Sequence, residues 1–195
     1  MGQYYVIVNV DKKEVLDPAG GIKLMEFSYS ETTTIITLMN LMKNKWKGDR
    51  VYVVGDYADD EIYGEIDYNW HDTYVKVCEE LGVKKDNTLY GFSDSFKRVK
   101  KSKAKTTPRY IYNHAKKQVV DLVDCEEDSW GYTIAPISLL LAMGNDRGGG
   151  DFHEGCRGYE HVGEWVSTSP SIEVSAKPLP GCEDYEKFVP GFCEG

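Results

Sequence analysis

The clearest pattern in the chain is a short alternation of apolar and polar positions that occurs twice. Residues 6–17 align without a gap on residues 110–121, and six of the twelve positions are identical at a constant offset of 104. Each copy has an apolar run, a polar turn with the pattern Asn-x-x-Lys-Lys and a second apolar run, which is typical of a β-hairpin. We therefore predict equivalent hairpins over residues 5–17 and 109–121, each beginning one half of the protein.

Helical periodicity in the first half predicts two main helices. The first has an apolar face from Ile35 to Trp46, with capping-box spacing at residues 28–31 before it and Gly48 as its stop. The second spans residues 72–81 and ends before Gly82. Residues 50–55 lie between them as a β-branched run, which indicates a buried central strand. The side chains expected in the core are Ile35, Leu38, Met42, Trp46, Val51 and Val53.

The second half has weaker patterns. An apolar segment at residues 136–143 precedes a glycine-rich loop at 144–150, and we predict strands at 163–167 and 172–174. Residues 176–195 contain prolines and scattered glycines, which favours an extended tail. We therefore predict an α+β fold in one compact domain, with a mainly antiparallel sheet built from two related halves, residues 1–96 and 106–175.

Composition narrows the class of protein. The 195 residues are 41% hydrophobic, enough for one packed core, and the net charge of −9 argues against general nucleic-acid or membrane binding. A basic segment at residues 97–105 is interpreted as a solvated linker, because no aromatic residue interleaves it to stack on bases. Five cysteines without Cys-x-x-Cys spacing, no secretory leader and no apolar run long enough to span a bilayer indicate a reduced, cytoplasmic protein.

The glycine-rich loop is the first chemical candidate. Gly148, Gly149 and Gly150 can turn successive backbone N–H groups inward to form an anion nest, and Arg147 can grip a phosphate or carboxylate. Asp151 follows directly. The loop lacks the Gly-Lys-Ser/Thr ending of a P-loop, so a flexible connection is the competing interpretation.

The acidic loop that follows the predicted central strand is the second candidate. Asp56, Tyr57 and Asp59 lie in it, and four acids within residues 56–61 could hold a divalent cation together with Asp151. The candidate metal ligands are Asp56, Asp59 and Asp151. A solvated acidic turn explains the same residues without a metal.

Asn113 and His114 lie in the second hairpin and complete the candidate ligand-binding set. Asparagine at a hairpin turn also has a structural role, because its side chain bonds to the local backbone. If the two halves pack about a pseudo-twofold axis, the acidic loop and the glycine loop would face each other across a polar cleft. We predict that Arg147 and Asp151 meet the loop of residues 56–59 there.

Several longer motifs carry a resemblance. Residues 2–14 read GxYxxxxNxDKKE, 23–26 KLME, 46–59 WxGDRxxxxGDYAD, 109–121 RYIxNHxKKxVxD and 147–151 RGGGD. The chain resembles an uncharacterised family of large DNA viruses, phages, bacteria and fungi over residues 2–175. The resemblance implies a viral or host setting, in the host cytoplasm or the virion, and implies no established activity. Asp146 stands where the family has glycine, which places a negative charge beside the anion nest.

Three functions follow from these observations. The first is a binding or interaction protein with a polar cleft between its halves, which takes an unknown protein or a small anionic ligand. The second is a metal-assisted hydrolase of a phosphate-containing small molecule, in which Arg147 would stabilise charge in the transition state. The third is a virion or assembly component.

Overall fold

The computed structural model describes residues 3–18, 20–58, 70–128, 130–144 and 155–192. The strands within these ranges are β1 (Tyr5–Asn9), β2 (Glu14–Leu16), β3 (Val51–Gly55), β4 (Lys97–Arg98), β5 (Tyr110–Asn113), β6 (Gln118–Asp121), β7 (Ala142–Met143), β8 (Ile172–Ser175) and β9 (Glu186–Lys187). The α-helices are α1 (Leu24–Phe27), α2 (Thr33–Lys43), α3 (His71–Leu81), α4 (Leu89–Phe92) and α5 (Ile137–Leu140). The α+β class predicted from the sequence is confirmed.

The strands form two mixed sheets, and each hairpin belongs to a different one. The first sheet has the order β4-β2-β1-β3-β7, and the second has the order β8-β5-β6-β9. In each sheet the two strands of the hairpin pair antiparallel. The first strand of the hairpin, β1 or β5, also pairs antiparallel with a later strand, β3 or β8. The second strand, β2 or β6, pairs parallel with a two-residue strand, β4 or β9. Antiparallel pairing therefore predominates, as predicted, but in two sheets instead of one.

The two hairpins have the same turn and the same register. Asn9 faces Glu14 and Asn113 faces Gln118 across their strand pairs. Each asparagine Oδ1 accepts the backbone N–H three residues later, at 2.9 Å in the first turn and 3.1 Å in the second. The fourth residue after each asparagine, a lysine, has a positive φ, 49° in the first turn and 52° in the second. The sequence repeat thus has a local structural counterpart, whereas the relation between the two whole halves stays a prediction.

The first sheet is covered on both faces. Because side chains alternate along a strand, Ile7 and Val53 point to one face and Val8 and Val54 to the other. The first face joins a core that contains α2 and the apolar residues of the second sheet. The second face joins a core built with α3 and α4. The first sheet therefore lies between a core shared with α2 and the second sheet and a core shared with α3 and α4. The prediction that β3 is a buried central strand is confirmed.

The two main helices of the first half are present with shifted ends. Helix α2 begins after Thr32, whose Oγ1 accepts the Ile35 N–H at 3.2 Å. The capping box predicted at residues 28–31 is wrong, because Tyr29 pairs with Ile134 in an extended bridge. The helix ends at Lys43, yet Trp46 remains buried. Helix α3 ends as predicted, at Gly82, which has a φ of 71°.

The predicted core is confirmed. Each of its six side chains is at most 2% exposed: Ile35, Leu38, Met42, Trp46, Val51 and Val53. The Trp46 indole also donates a 2.8 Å hydrogen bond to Glu14, so this end of the helix face is fixed by a polar contact as well as by packing. Complete burial of a Val, Leu, Ile or Met side chain contributes about 1.5–3 kcal/mol to the free energy of unfolding.

Three predictions for the second half change in the structure. Residues 163–167 do not form a strand but a turn that leads into the 3₁₀ helix Val166–Ser171, which contains Pro170. Lys97 and Arg98, the first residues of the predicted linker, form β4. The described part of the predicted tail, residues 176–192, contributes β9 to the second sheet, and Phe192 is buried.

None of the helices within the described ranges is long and apolar enough to cross a membrane. The cysteines at 78, 125, 156 and 182 are free thiols.

Replacing either turn asparagine with alanine should destabilise the protein. Asn9 and Asn113 are fully buried, and each also donates a side-chain hydrogen bond, to Asp49 at 2.7 Å and to Thr168 at 2.9 Å. Each change leaves buried polar groups without a partner, so we expect a loss of about 1–3 kcal/mol in the free energy of unfolding measured in urea. Asn44→Ala, at an exposed asparagine, is the control and should cost far less. Equal losses at all three positions would contradict the stabilising role of the two turn asparagines.

Stability should fall in acid because several carboxylates are held ionised by their partners. Burial would raise the pKa of Glu14, but hydrogen bonds from Lys45 and Trp46 hold it below its ordinary value. A group whose pKa is lower in the folded chain stabilises the fold above its unfolded pKa of about 4, and this contribution is lost as the pH falls through the folded pKa. We expect urea unfolding to show constant stability from pH 7 to about pH 5 and a decline below about pH 4. Glu14→Gln should weaken this decline, whereas Glu79→Gln, at an exposed glutamate, should leave it unchanged; identical profiles for the two variants would refute the assignment.

Candidate functional site

The two loops with candidate chemistry begin at the same edge of the first sheet. β3 and β7 are parallel neighbours. Asp56 follows β3 directly, and Gly144 follows β7 directly. A Cβ atom built on Gly144 would lie 3.3 Å from the Cα of Gly55 and 3.4 Å from the Cβ of Ala58. The acidic loop and the glycine loop therefore start side by side, at the carboxyl ends of parallel strands, where ligand sites often form.

Most of the predicted site lies outside the described residues, namely Asp59, Arg147, Gly148, Gly149, Gly150 and Asp151. The convergence of Arg147 and Asp151 with the acidic loop therefore stays a prediction, as does the divalent cation assigned to Asp56, Asp59 and Asp151. Within the described ranges, no group of three or more His, Cys, Asp or Glu side chains is placed to hold a metal ion.

Asp56 and Tyr57 are both half-buried at this edge. The Asp56 carboxylate accepts the backbone N–H of Tyr4 at 3.0 Å, and the Asp56 N–H donates to the Tyr4 carbonyl at 2.9 Å. Burial raises the pKa of Asp56, and the hydrogen bond from Tyr4 opposes that shift. One carboxylate oxygen of Asp56 therefore holds the segment that precedes β1 against the acidic loop.

Gln3 fills the space between the ends of β3 and β7. Its side chain is fully buried, and its Oε1 accepts the Tyr5 hydroxyl at 2.8 Å. Its Nε2 has no hydrogen-bond partner in the described part of the chain. A Cβ on Gly55 would lie 2.3 Å from this nitrogen, and one on Gly144 would lie 2.5 Å from it. The Gln3 amide therefore occupies the space that a Cβ atom at Gly55 or Gly144 would need.

Asn113 and His114 lie in a different part of the molecule. Asn113 donates to Thr168, which precedes Ser169, and Ser169 bonds to the backbone of Val51 at the amino end of β3. Asp56 directly follows the carboxyl end of the same strand, about 17 Å from Val51 at the usual rise per residue. The structure therefore separates Asn113 and His114 from the Asp56 loop.

The His114 side chain makes contacts that hold neighbouring strands and segments together. Its Nδ1 lies 2.8 Å from the Tyr185 hydroxyl, and its Nε2 lies 3.3 Å from a Glu173 oxygen. The ring also stacks with Tyr112 at 6.2 Å between centroids. These contacts connect β5 with β8 and with the segment that precedes β9.

Several polar residues of the family-like motifs also have structural partners. Arg50 pairs with Asp11 and with Glu80, at 2.8 Å and 2.5 Å. Arg50 and Asp56 lie at opposite ends of β3. These ion pairs fix the first hairpin against α3.

The structure contains a surface pocket that the sequence analysis did not predict. It has a volume of about 370 Å³ and is lined mainly by apolar atoms. We call it the aromatic pocket, and its residues are Tyr29, Glu31, Thr32, Asp128, Trp130 and Tyr132. Trp130 is 80% exposed and Tyr132 is 53% exposed, which is unusual for side chains of this size.

Hydrogen bonds to Asp128 hold the residues that present these aromatic rings. The Asp128 carboxylate accepts the backbone N–H groups of Trp130 and Tyr132, both at 2.9 Å. Gly131 donates to the Asp128 carbonyl at 3.0 Å and has a φ of 80°, which closes the turn. The rings of Tyr29 and Tyr132 meet edge to face at 5.9 Å. Three backbone bonds and one ring contact therefore fix the pocket before any ligand arrives.

A more polar pocket of about 440 Å³ lies beside the aromatic pocket. Ser30, Glu127 and Thr133 line it, and each is next in sequence to a residue of the aromatic pocket. Because successive residues of an extended segment point to opposite faces, the short ladder of residues 29–30, 127–128 and 132–134 has an aromatic face and a polar face.

A signal for the aromatic pocket was present in the sequence. Residues 125–133 are mainly polar, yet Trp130 and Tyr132 flank Gly131 within them. Large aromatic side chains beside a turn glycine indicate a displayed surface. The contribution of Tyr29, about 100 positions earlier, has no local signal.

Comparison of the chain with protein-family models, with curated proteins and with solved structures finds no match.

Replacing Gly144 with alanine should destabilise the common edge of β3 and β7. Gly144 has a φ of 100°, and its missing Cβ would clash with the Gln3 amide. Gly48→Ala is the matched control, since Gly48 has a φ of 78° with no atom within 4 Å of the Cβ position. We expect Gly144→Ala to cost at least about 2 kcal/mol and Gly48→Ala about 1 kcal/mol, measured by urea unfolding. Equal costs would show that Gly144 is not packed against Gln3 and Gly55.

Proposed function

We propose that the protein is a non-enzymatic interaction protein that docks a partner polypeptide at the aromatic pocket. The observation that carries this proposal is the 80% exposure of Trp130 in a turn held by backbone hydrogen bonds. Exposed aromatic patches on folded chains mark binding surfaces, and Trp and Tyr supply much of the binding energy at protein interfaces. The Asp128 carboxylate holds the backbone of this turn through the N–H groups of Trp130 and Tyr132.

The shape of the aromatic pocket supports a polypeptide partner. The pocket is an open surface depression, so a bound side chain can enter it while its main chain remains outside. The neighbouring polar face offers the Glu127 carboxylate and the Thr133 hydroxyl to the rest of such a segment. Interfaces commonly combine an apolar centre with a polar rim in this way.

A polar cleft at the common edge of β3 and β7 is the second candidate. It is favoured by the parallel pairing that starts the acidic and glycine loops side by side. Its ligand would be a small anion or a phosphate-containing molecule, with a divalent cation if Asp56, Asp59 and Asp151 converge. The metal-assisted hydrolase belongs to this second candidate, whereas a role in a virion or in assembly fits the docking proposal. A setting in host cytoplasm or virion follows from the family resemblance alone.

Selection of peptides tests the docking proposal. Random heptapeptides displayed on phage are selected on the wild-type protein, and the affinities of the recovered peptides are measured by calorimetry. Trp130→Ala should weaken their binding by about thirtyfold, the effect expected for a central aromatic residue. Val75→Ala, at a 40% exposed apolar residue on α3, should leave it unchanged.

Thermal unfolding of each variant checks that the fold is retained. Recovered peptides that bind Trp130→Ala as tightly as wild type, or a selection that enriches no Trp130-dependent peptide, would refute the docking proposal.

A further inference from the structure

We infer that the aromatic pocket recognises an arginine side chain of the partner polypeptide. This inference rests on the proposed docking function and names the chemical group that the pocket receives.

The charge of the aromatic pocket favours a cation. Two of its six residues, Glu31 and Asp128, are acidic, and none is basic. Glu31 is exposed and has no ion-pair partner in the part of the chain that the structure describes. The Glu31 carboxylate can therefore pair with a cation at the rim of the aromatic pocket.

Asp128 contributes a second negative charge from the turn. The Tyr132 N–H above all, with the Trp130 N–H and the Tyr29 hydroxyl, holds the pKa of Asp128 below its ordinary value. The carboxylate is therefore ionised at neutral pH. The aromatic rings add the negative electrostatic potential of their faces, which attracts cations within about 6 Å.

The rings leave room for a flat group. Tyr29 and Tyr132 contact each other, whereas Trp130 has no ring partner among the described residues. A guanidinium is planar, stacks on aromatic faces and pairs with a carboxylate through two parallel hydrogen bonds. An ammonium has neither the plane nor the fork, so arginine fits this combination of rings and carboxylate better than lysine does.

The chain contains the same combination elsewhere. The Arg109 guanidinium lies 4.9 Å from the centre of the Tyr110 ring. It also donates two hydrogen bonds to the Asp121 carboxylate, at 2.7 Å and 2.6 Å. In the aromatic pocket the ring and the carboxylate are present, and the partner would supply the arginine.

Blocked pentapeptides test this inference. The probe is acetyl-Gly-Gly-Arg-Gly-Gly-amide, and its control carries citrulline, which has nearly the same shape as arginine without the charge. We expect the arginine peptide to bind at least about tenfold more tightly in low salt, and the advantage to shrink in 1 M salt. The lysine peptide should bind with intermediate affinity. Methylguanidinium, the free-ligand control, should bind more weakly than the arginine peptide.

Substitutions test whether the preference for arginine arises at the aromatic pocket. Glu31→Gln should reduce the preference for arginine over citrulline about fivefold, and Trp130→Ala should reduce binding of both peptides. Val75→Ala should change neither. Affinities are measured by calorimetry on the full chain, and the sedimentation of each variant is measured in parallel.

Three results would overturn the inference. Equal affinity for arginine and citrulline would show that the occupant is not cationic, while Trp130-dependent library peptides would still support the docking function. Methylguanidinium that binds as tightly as the peptide would indicate a free small cation. Wild-type self-association that is lost in Trp130→Ala would identify a second copy of this chain as the occupant.

Discussion

The buried strand β3 must find hydrogen-bond partners along both of its edges, and the rest of the fold depends on how it does so. All five of its residues are buried, so water cannot satisfy its backbone. β1 fills one edge. The other edge is completed by the second half of the chain, through β7, through the Leu141 carbonyl, and through Ser169, whose hydroxyl bonds to both the N–H and the carbonyl of Val51. Each unmet buried backbone group would cost about 1–3 kcal/mol.

This constraint makes the two halves one structural unit and positions both candidate sites. Pairing β7 with β3 brings Gly144 against Gly55, so the acidic and glycine loops share an edge. The aromatic pocket depends on the same packing, because its ladder continues into buried Ile134 and Ala135, and the Ala135 N–H donates to the Ser28 carbonyl at 2.8 Å. The displayed rings are therefore attached to the core by a short extended segment.

The sequence predicted local features well because short-range chemistry determines them. The two hairpins, the end of α3 at Gly82 and the burial of β3 each follow from patterns a few residues long. The start of α2 was mispredicted because Tyr29 pairs with Ile134, a contact across more than 100 positions that no local pattern shows. The sequence also could not show whether the two hairpins belong to one sheet or to two, because the local hairpin pattern is the same in both cases.

The candidate sites show the same difference between local patterns and contacts across the chain. The meeting of the acidic and glycine loops was predicted from a pseudo-twofold relation of the halves and stays a prediction, although both loops start at one edge of the first sheet. Asn113 and His114 were assigned to that site as polar residues of the family-like motifs, and they lie elsewhere. The aromatic pocket combines Tyr29 with residues of a distant turn, so only the three-dimensional structure shows it.

Acrylamide quenching of tryptophan fluorescence tests most directly whether the ring of Trp130 is exposed on the surface and accessible to a partner. Trp46, Trp70 and Trp165 are at most 2% exposed, whereas Trp130 is 80% exposed. Acrylamide is neutral, so the acidic groups beside Trp130 do not repel it. The account predicts one readily quenched component in the wild-type protein and its loss in Trp130→Phe. A Trp130→Phe variant with the same quenching as wild type would show that Trp130 is shielded, and the docking surface would be contradicted.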